Sequence, residues 1–214
     1  MEINRVPRWF SGCFPNIVWH HQSPSILLTF DDGIDPVWTP KYLDLLEKYS
    51  LKAIFFVVGN SVTPLVKEIQ SLGHQIGWHT KTHRSFFRLN PTEIRAELEA
   101  VKQLEDMVQN RIRLFRFPYG HFFPWQIKYV LEKEMFPVMW SYMIHEYKQK
   151  SVAELVSKMH GLSERDIFLF HDKSENSEHA YTALKLFLSE HSSLFSDRID
   201  LAFVNKYQEL PTSK

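Results

Sequence analysis

Ile26-Leu27-Leu28-Thr29-Phe30-Asp31-Asp32-Gly33 is the stretch on which the reading of this chain turns. An apolar, strand-like run ends in two adjacent carboxylates and a glycine. Adjacent residues at a strand end can point in different directions, so one carboxylate can bind a metal while its neighbour stays free as a base. His79-Thr80-Lys81-Thr82-His83 follows 47 residues after Asp32, and its spacing puts both imidazoles on one side of a helical turn or tight loop. Asp32, His79 and His83 together make a three-ligand, open metal site. Each piece alone is weak: the eleven histidines generate roughly 0.6 His-x-x-x-His pairs by chance, and Asp-Asp-Gly is more often a turn. Placement strengthens them. Arg116-Phe117-Pro118-Tyr119 follows the strand-like Leu114-Phe115, and Leu169-Phe170-His171-Asp172 closes the run Ile167-Phe168-Leu169-Phe170.

Outward from these motifs, apolar runs of strand length alternate with helix-period segments, the pattern of repeated β-α units. Seven strands are predicted, at about 26–30, 53–58, 74–78, 113–117, 136–141, 166–171 and 199–204. Helix starts are marked by Thr39-Pro40, Thr63-Pro64, Asn90-Pro91 with Glu93, and the capping box Ser151-x-x-Glu154. Ile94, Leu98, Val101, Leu104 or Glu105, and Val108 give a 91–109 helix its apolar stripe. Runs such as Ala53-Ile54-Phe55-Phe56-Val57-Val58 imply strands covered on both faces, hence a parallel sheet. Because the chemical residues all follow strand C-termini, a barrel is expected over an open sheet.

Composition sets outer bounds. With 214 residues, 44% of them hydrophobic and 14% aromatic, the chain can bury the core of one barrel or layered domain. Lys+Arg and Asp+Glu are each 25, so there is no electrostatic footprint for nucleic acid or an anionic membrane, and a neutral substrate fits. The single Cys13 excludes an internal disulfide. Phe10-Ser11-Gly12-Cys13 looks like a lipoprotein processing site, but Glu2, Asn4, Arg5, Pro7 and Arg8 stand where an apolar h-region is needed. Residues 1–24 are therefore expected to be an extension packed on a catalytic domain at 25–205, with a tail at 206–214. No apolar run approaches the ~18 residues that span a bilayer, so a soluble protein without a convincing signal peptide is expected, cytoplasmic or non-classically exported.

With these motifs in this order, the chain resembles the polysaccharide deacetylases with a NodB-homology domain, carbohydrate esterase family 4. The counterparts are TFDDG at 29–33, HTxxH at 79–83, RxPY at 116–119, a weaker motif near 140–147, and Leu-x-His at 169–171. The resemblance covers about 25–205 and implies a distorted (β/α)7 barrel of the α/β class. It implies Asp32, His79 and His83 as ligands of a divalent metal, most simply zinc, and Asp31 as the general base that takes a proton from water. It implies that Arg116 bonds Asp31, that the backbone N–H of Tyr119 helps bind the oxyanion, and that His171 protonates the leaving amine. Leu169 would line the pocket for the acetyl methyl.

The fourth motif departs from the family's Asp-Trp. Trp140-Ser141-Tyr142-Met143-Ile144-His145-Glu146-Tyr147 aligns best with Glu146-Tyr147 in that place, Glu146 holding His171 and Tyr147 walling the groove, although a slipped alignment makes His145 the neighbour instead. Trp78 replaces a common Asn and Ile34 a common Pro, and both are expected to reshape the mouth of the site. Phe122, Phe123 and Trp125 are read equally as core or as rings that stack on sugar. The expected function is removal of N-acetyl groups from an amino-sugar polymer or oligomer, chitin-like or peptidoglycan glycan. The alternatives are an O-acetyl esterase on acetylated xylan and a weakly active carbohydrate-binding relative.

Overall fold

Six of the seven expected apolar runs form strands in whole or in part, and their pairing curls them around a common interior. The computed structural model describes residues 4–149, 151–173 and 177–199. The strands are β1 (Leu27–Asp31), β2 (Ala53–Val57), β3 (Gln75–Trp78), β4 (Leu114–Phe115), β5 (Phe136–Pro137), β6 (Tyr142–Met143) and β7 (Ile167–His171). All their pairings are parallel, in the order β5-β4-β3-β2-β1-β7-β6. The order starts in the middle of the sheet with β1 and places β7 beside it, so the first and fifth motifs meet: Asp31 is in register with His171.

Helices cover the outer face: α1 (Arg8–Gly12), α2 (Trp38–Lys48), α3 (Leu65–Ser71), α4 (Pro91–Glu99), α5 (Val101–Val108), α6 (Ile127–Glu132), α7 (Val152–Met159) and α8 (Ser177–His191). The Asn90 cap is complete. Its side chain accepts from the N–H groups of Thr92 and Glu93, and Glu93 reaches back to the Asn90 N–H at 2.9 Å. Ser151 caps α7 by accepting from the Glu154 N–H at 3.2 Å.

Period-2 alternation sorts the strand residues between two cores. Leu27, Ile54, Phe56, Leu114 and Ile167 fill the barrel interior with Val18, Phe136 and Val138. Their neighbours Leu28, Phe30, Phe55, Phe115, Phe168 and Phe170 pack against the helices. Carried up each strand, the inward series runs Leu27-Thr29-Asp31, Leu114-Arg116 and Ile167-Leu169-His171. An apolar plug therefore gives way to polar groups towards the C-terminal ends, beginning with Thr29 in the middle of β1.

The N-terminal extension lies along the two edge strands. Val18 pairs parallel with Val138 beyond β5, and Arg5 pairs antiparallel with Tyr142 of β6. Arg5 also binds the buried carboxylate of Asp166 at 2.6 and 2.8 Å.

Several expectations change. The expected 91–109 helix is two helices separated at Ala100; no Pro or Gly marks the break. The expected strand at 136–141 pairs only at Phe136–Pro137 before bridging to the extension. The seventh strand is β6, two residues inside the fourth motif, whereas the expected 199–204 strand lies, apart from Ile199, outside the described residues.

Candidate active site

Asp31 and Asp32 diverge because the chain turns sharply between them. Asp31 ends β1 pointing inward, and Asp32 adopts a left-handed backbone, φ 72°. Thr80, His83, Tyr119 and His145 are also left-handed, at φ 67°, 57°, 60° and 51°. Such conformations cost a non-glycine residue free energy and are kept where the surrounding structure holds them. Here they line the loops that carry the first four motifs.

Arg116 is fully buried, and its guanidinium makes four hydrogen bonds to its neighbours. It donates to Asp31 Oδ1 at 2.7 Å, Thr29 Oγ1 at 2.8 Å, the Val138 carbonyl at 2.9 Å and the Met139 carbonyl at 3.1 Å. Phe56 lies beneath it, 4.0 Å from ring centroid to guanidinium carbon. Burial lowers the Arg116 pKa and the Asp31 carboxylate opposes that shift, so the pair forms a compensated buried charge. Thr29 is a buttress that the sequence reading passed over. Its place two residues before Asp31 on the inward face was the available signal.

The three side chains of the expected ligand set converge: one ligand atom from each of Asp32, His79 and His83 lies within 4.8 Å of the others. Asp32 Oδ1 is 3.0 Å from His83 Nε2 and 3.4 Å from His79 Nε2, yet it is buried without a hydrogen bond from any described residue. His79 Nδ1 sits 2.9 Å from the Arg116 carbonyl. A carbonyl only accepts, so Nδ1 carries the proton and, in the neutral imidazole, Nε2 turns a lone pair towards the carboxylates. Lone pairs facing carboxylate oxygens need a cation between them. Two imidazole nitrogens and one carboxylate are a donor set suited to zinc, so the residues present fit a divalent ion.

The loop behind these ligands is braced by α4. Glu97 Oε2 accepts from the Thr82 N–H at 2.9 Å, the Thr82 hydroxyl bonds Glu97 Oε1, and Trp78 Nε1 donates to the Glu97 carbonyl at 3.0 Å. Trp78 is fully buried, and Ile34 is 4% exposed. Neither reaches the mouth as expected. Alternation along β3 turns Trp78 to the helix layer and leaves the next residue, His79, for the site.

On the opposite side, His171 Nδ1 pairs with Glu146 Oε1. Glu146 is fully buried, and its second oxygen has no hydrogen-bond partner among the described residues. His145 turns away, its Nδ1 lying 3.2 Å from the Tyr147 hydroxyl. Burial favours neutral His171, but the Glu146 carboxylate outweighs it and pushes the pKa up to about 9. The Tyr147 ring stands edge-on to His171 at 5.8 Å, and Leu169 is buried two residues before it. Tyr119 is 60% exposed, its ring 4.5 Å from that of His83.

Asp172 was given no role in the sequence. Buried behind Gly33, it accepts a hydrogen bond from the Thr39 hydroxyl, and burial pushes its pKa up to about 7. Of the aromatic group 122–125, Phe122 is core, stacked on Phe117 at 4.7 Å, whereas Phe123 and Trp125 are 44% and 46% exposed.

A sequence model of the polysaccharide deacetylases matches residues 20–134. Two Bacillus cereus proteins named peptidoglycan-N-acetylglucosamine deacetylase are similar. One is 31% identical over 147 residues, 67% of this chain and 54% of its own length. The other is 33% identical over 174 residues, 77% of this chain and 80% of its own. The chain thus spans about half the length of the first. A solved peptidoglycan N-acetylglucosamine deacetylase, Bc1960 in complex with 4-naphthalen-1-yl-N-oxidanyl-benzamide, aligns with TM-score 0.81 at 24% identity, over 93% of this chain and 96% of that one, and shares the fold.

Proposed function

This chain belongs to the polysaccharide deacetylase family, and we propose that it is a metal-dependent hydrolase that removes N-acetyl groups from an amino-sugar glycan, peptidoglycan or chitin-like. One observation carries the reading: Asp32, His79 and His83 converge beside an inward carboxylate, Asp31, that Arg116 holds off their common point. A divalent ion bound by the three, most simply zinc, would polarise the acetyl carbonyl and acidify water.

The protein's own groups divide the proton work. Asp31 has Oδ1 committed to Arg116 and Oδ2 3.7 Å from His79 Nε2, on the side of the ligand cluster. In this reading Oδ2 takes the proton from the attacking water. Arg116, fixed by Thr29 and two carbonyls, keeps that carboxylate in one orientation. The Tyr119 N–H would donate to the developing oxyanion. An amine leaves only once protonated, and His171, held as imidazolium at neutral pH by Glu146, is the acid that would supply the proton. Leu169 would receive the acetyl methyl, and Tyr147 would close the groove beside His171.

The test is acetate release from N-acetylglucosamine oligomers, peptidoglycan and acetylated xylan, measured side by side before and after chelation. Release from the amino-sugar substrates that stops on chelation and returns with zinc is expected. A higher kcat/KM on acetylated xylan would make the protein an O-acetyl esterase, and release unaffected by chelation would remove the metal from the reaction.

A further inference from the structure

Two consecutive phenylalanine pairs, Phe86-Phe87 and Phe122-Phe123, sit on neighbouring loops at the mouth, and each gives one ring to the core and one to water. Phe86 and Phe122 are buried, whereas Phe87 and Phe123 are 48% and 44% exposed. The exposed rings lie in a connected series that begins at a candidate metal ligand. His83 meets Tyr119 at 4.5 Å, Tyr119 meets His121 at 5.6 Å, His121 stacks on Phe87 at 4.7 Å and 12°, and Phe87 meets Phe123 at 4.8 Å. Resting on the deacetylase reading above, we propose that Phe87, His121 and Phe123 form a stacking platform for sugar rings of the acetylated glycan beyond the residue being deacetylated.

The platform is built rather than incidental. Phe86 anchors its loop against Phe117 at 5.0 Å and Phe115 at 5.8 Å, and Phe122 anchors the other loop on the same Phe117. Gln126, itself buried, ties the two loops together: its Nε2 donates to the Phe86 carbonyl at 2.8 Å, and its Oε1 accepts from the Phe123 N–H at 2.8 Å. Ser85 Oγ and His121 Nδ1, 3.0 Å apart, join them again at the surface. Backbone held this firmly fixes the outward rings in place, so little ordering remains to be lost when a ligand stacks on them. Single exposed apolar residues need no explanation, but a contiguous patch running from a candidate catalytic centre marks a binding surface.

The chemistry of the platform selects its occupant. A glucosamine-type pyranose carries its hydroxyl and acetamido groups around the ring edge and presents C–H groups on its faces. Those faces suit the electron-rich faces of Phe rings, while the edge groups remain in water. The three platform side chains include no carboxylate, Lys or Arg, which suits an uncharged acetylated chain better than a polyanion. The bound substrate is therefore a glycan of several sugars, extending from His83 past Tyr119 towards the loop of α4.

Phe87→Ala, Phe123→Ala and the double variant test this as metal-loaded enzymes against the N-acetylglucosamine dimer and hexamer, with Phe87→Tyr as the conservative control. The double variant is expected to raise KM for the hexamer about tenfold with kcat within twofold, to change KM for the dimer much less, and to lose the wild-type preference for the longer chain. Phe87→Tyr should keep that preference. Equal losses on dimer and hexamer, or an unchanged hexamer KM, would overturn the platform while leaving the deacetylase reading standing. Co-sedimentation of the same proteins with insoluble chitin and peptidoglycan separates the two ideas. If wild type releases no acetate from any amino-sugar, weaker sedimentation of the double variant still supports the platform and the deacetylase reading falls. Sedimentation equal to wild type in that case overturns the platform as well.

Discussion

His79 and His171 follow the same design up to the atom next to Nδ1. Both stand at the C-terminal ends of inward-facing strand series, β3 and β7, on opposite sides of β1. His79 Nδ1 meets a backbone carbonyl, that of Arg116, whereas His171 Nδ1 meets the carboxylate of Glu146. A carbonyl fixes the tautomer without adding charge, which leaves Nε2 as a lone-pair donor suited to a metal. A carboxylate favours the imidazolium, which suits an acid. In the proposed mechanism, one residue type would thus supply an electron pair on one side of the mouth and a proton on the other.

The largest expected effect separates these roles by metal content. His83→Ala should lose both bound metal and measurable acetate release, whereas His171→Ala should keep its metal and lose about 10²–10⁴-fold in turnover of an N-acetyl substrate. Metal analysis beside acetate assays decides this, and a His171→Ala enzyme that loses its metal would merge the two sides. Asp31→Asn tests the carboxylate between them. It should bind metal nearly as wild type does yet lose turnover on a similar scale, about 10²–10⁴-fold. Turnover close to wild type would remove Asp31 as the base.

A smaller effect tests the Glu146 contact directly. In the proposed mechanism the acid form of His171 is the active one, so activity should fall as pH rises through its pKa, pushed up to about 9. Glu146→Gln keeps the burial and removes the charge, so the alkaline limb should move down towards the ordinary value of about 6.5. An unmoved limb would mean that another group sets it.

The smallest effect concerns stability. Asp172 has its pKa raised to about 7 in the fold, against about 3.9 for an ordinary aspartate. Between those values the folded protein holds a proton that the unfolded chain releases, so this group makes stability fall as pH rises from about 4 to 7. Asp172→Asn should remove that slope, worth roughly 4 kcal/mol at most. Denaturant melts at pH 4.5 and 7.5 measure it; identical pH dependence in the two proteins would show that Asp172 does not carry the shift.

Most strands were legible because parallel strands covered on both faces read as unbroken apolar runs, as at Leu27–Asp31 and Ala53–Val57. Tyr142–Met143 was not, since two residues leave no run to detect and its pairing with β7 comes from the fold. Asn90 announced its helix because a cap is a contact within four residues. The break at Ala100 had no such local sign.

Residue types, their order and their side of each strand follow from local pattern: Asp31 beyond Leu27 and Thr29, His171 beyond Ile167 and Leu169, each at a C-terminal end. Alternation and capping are local, so a short window contains them. Which groups meet across the barrel depends on how the whole chain packs. That packing sets the Arg116 carbonyl behind His79, Glu146 rather than His145 on His171, Trp78 in the helix layer, and Phe87 stacked on His121. Those pairings join segments separated by tens of residues, and their geometry is fixed only when seven strands and their helices pack together.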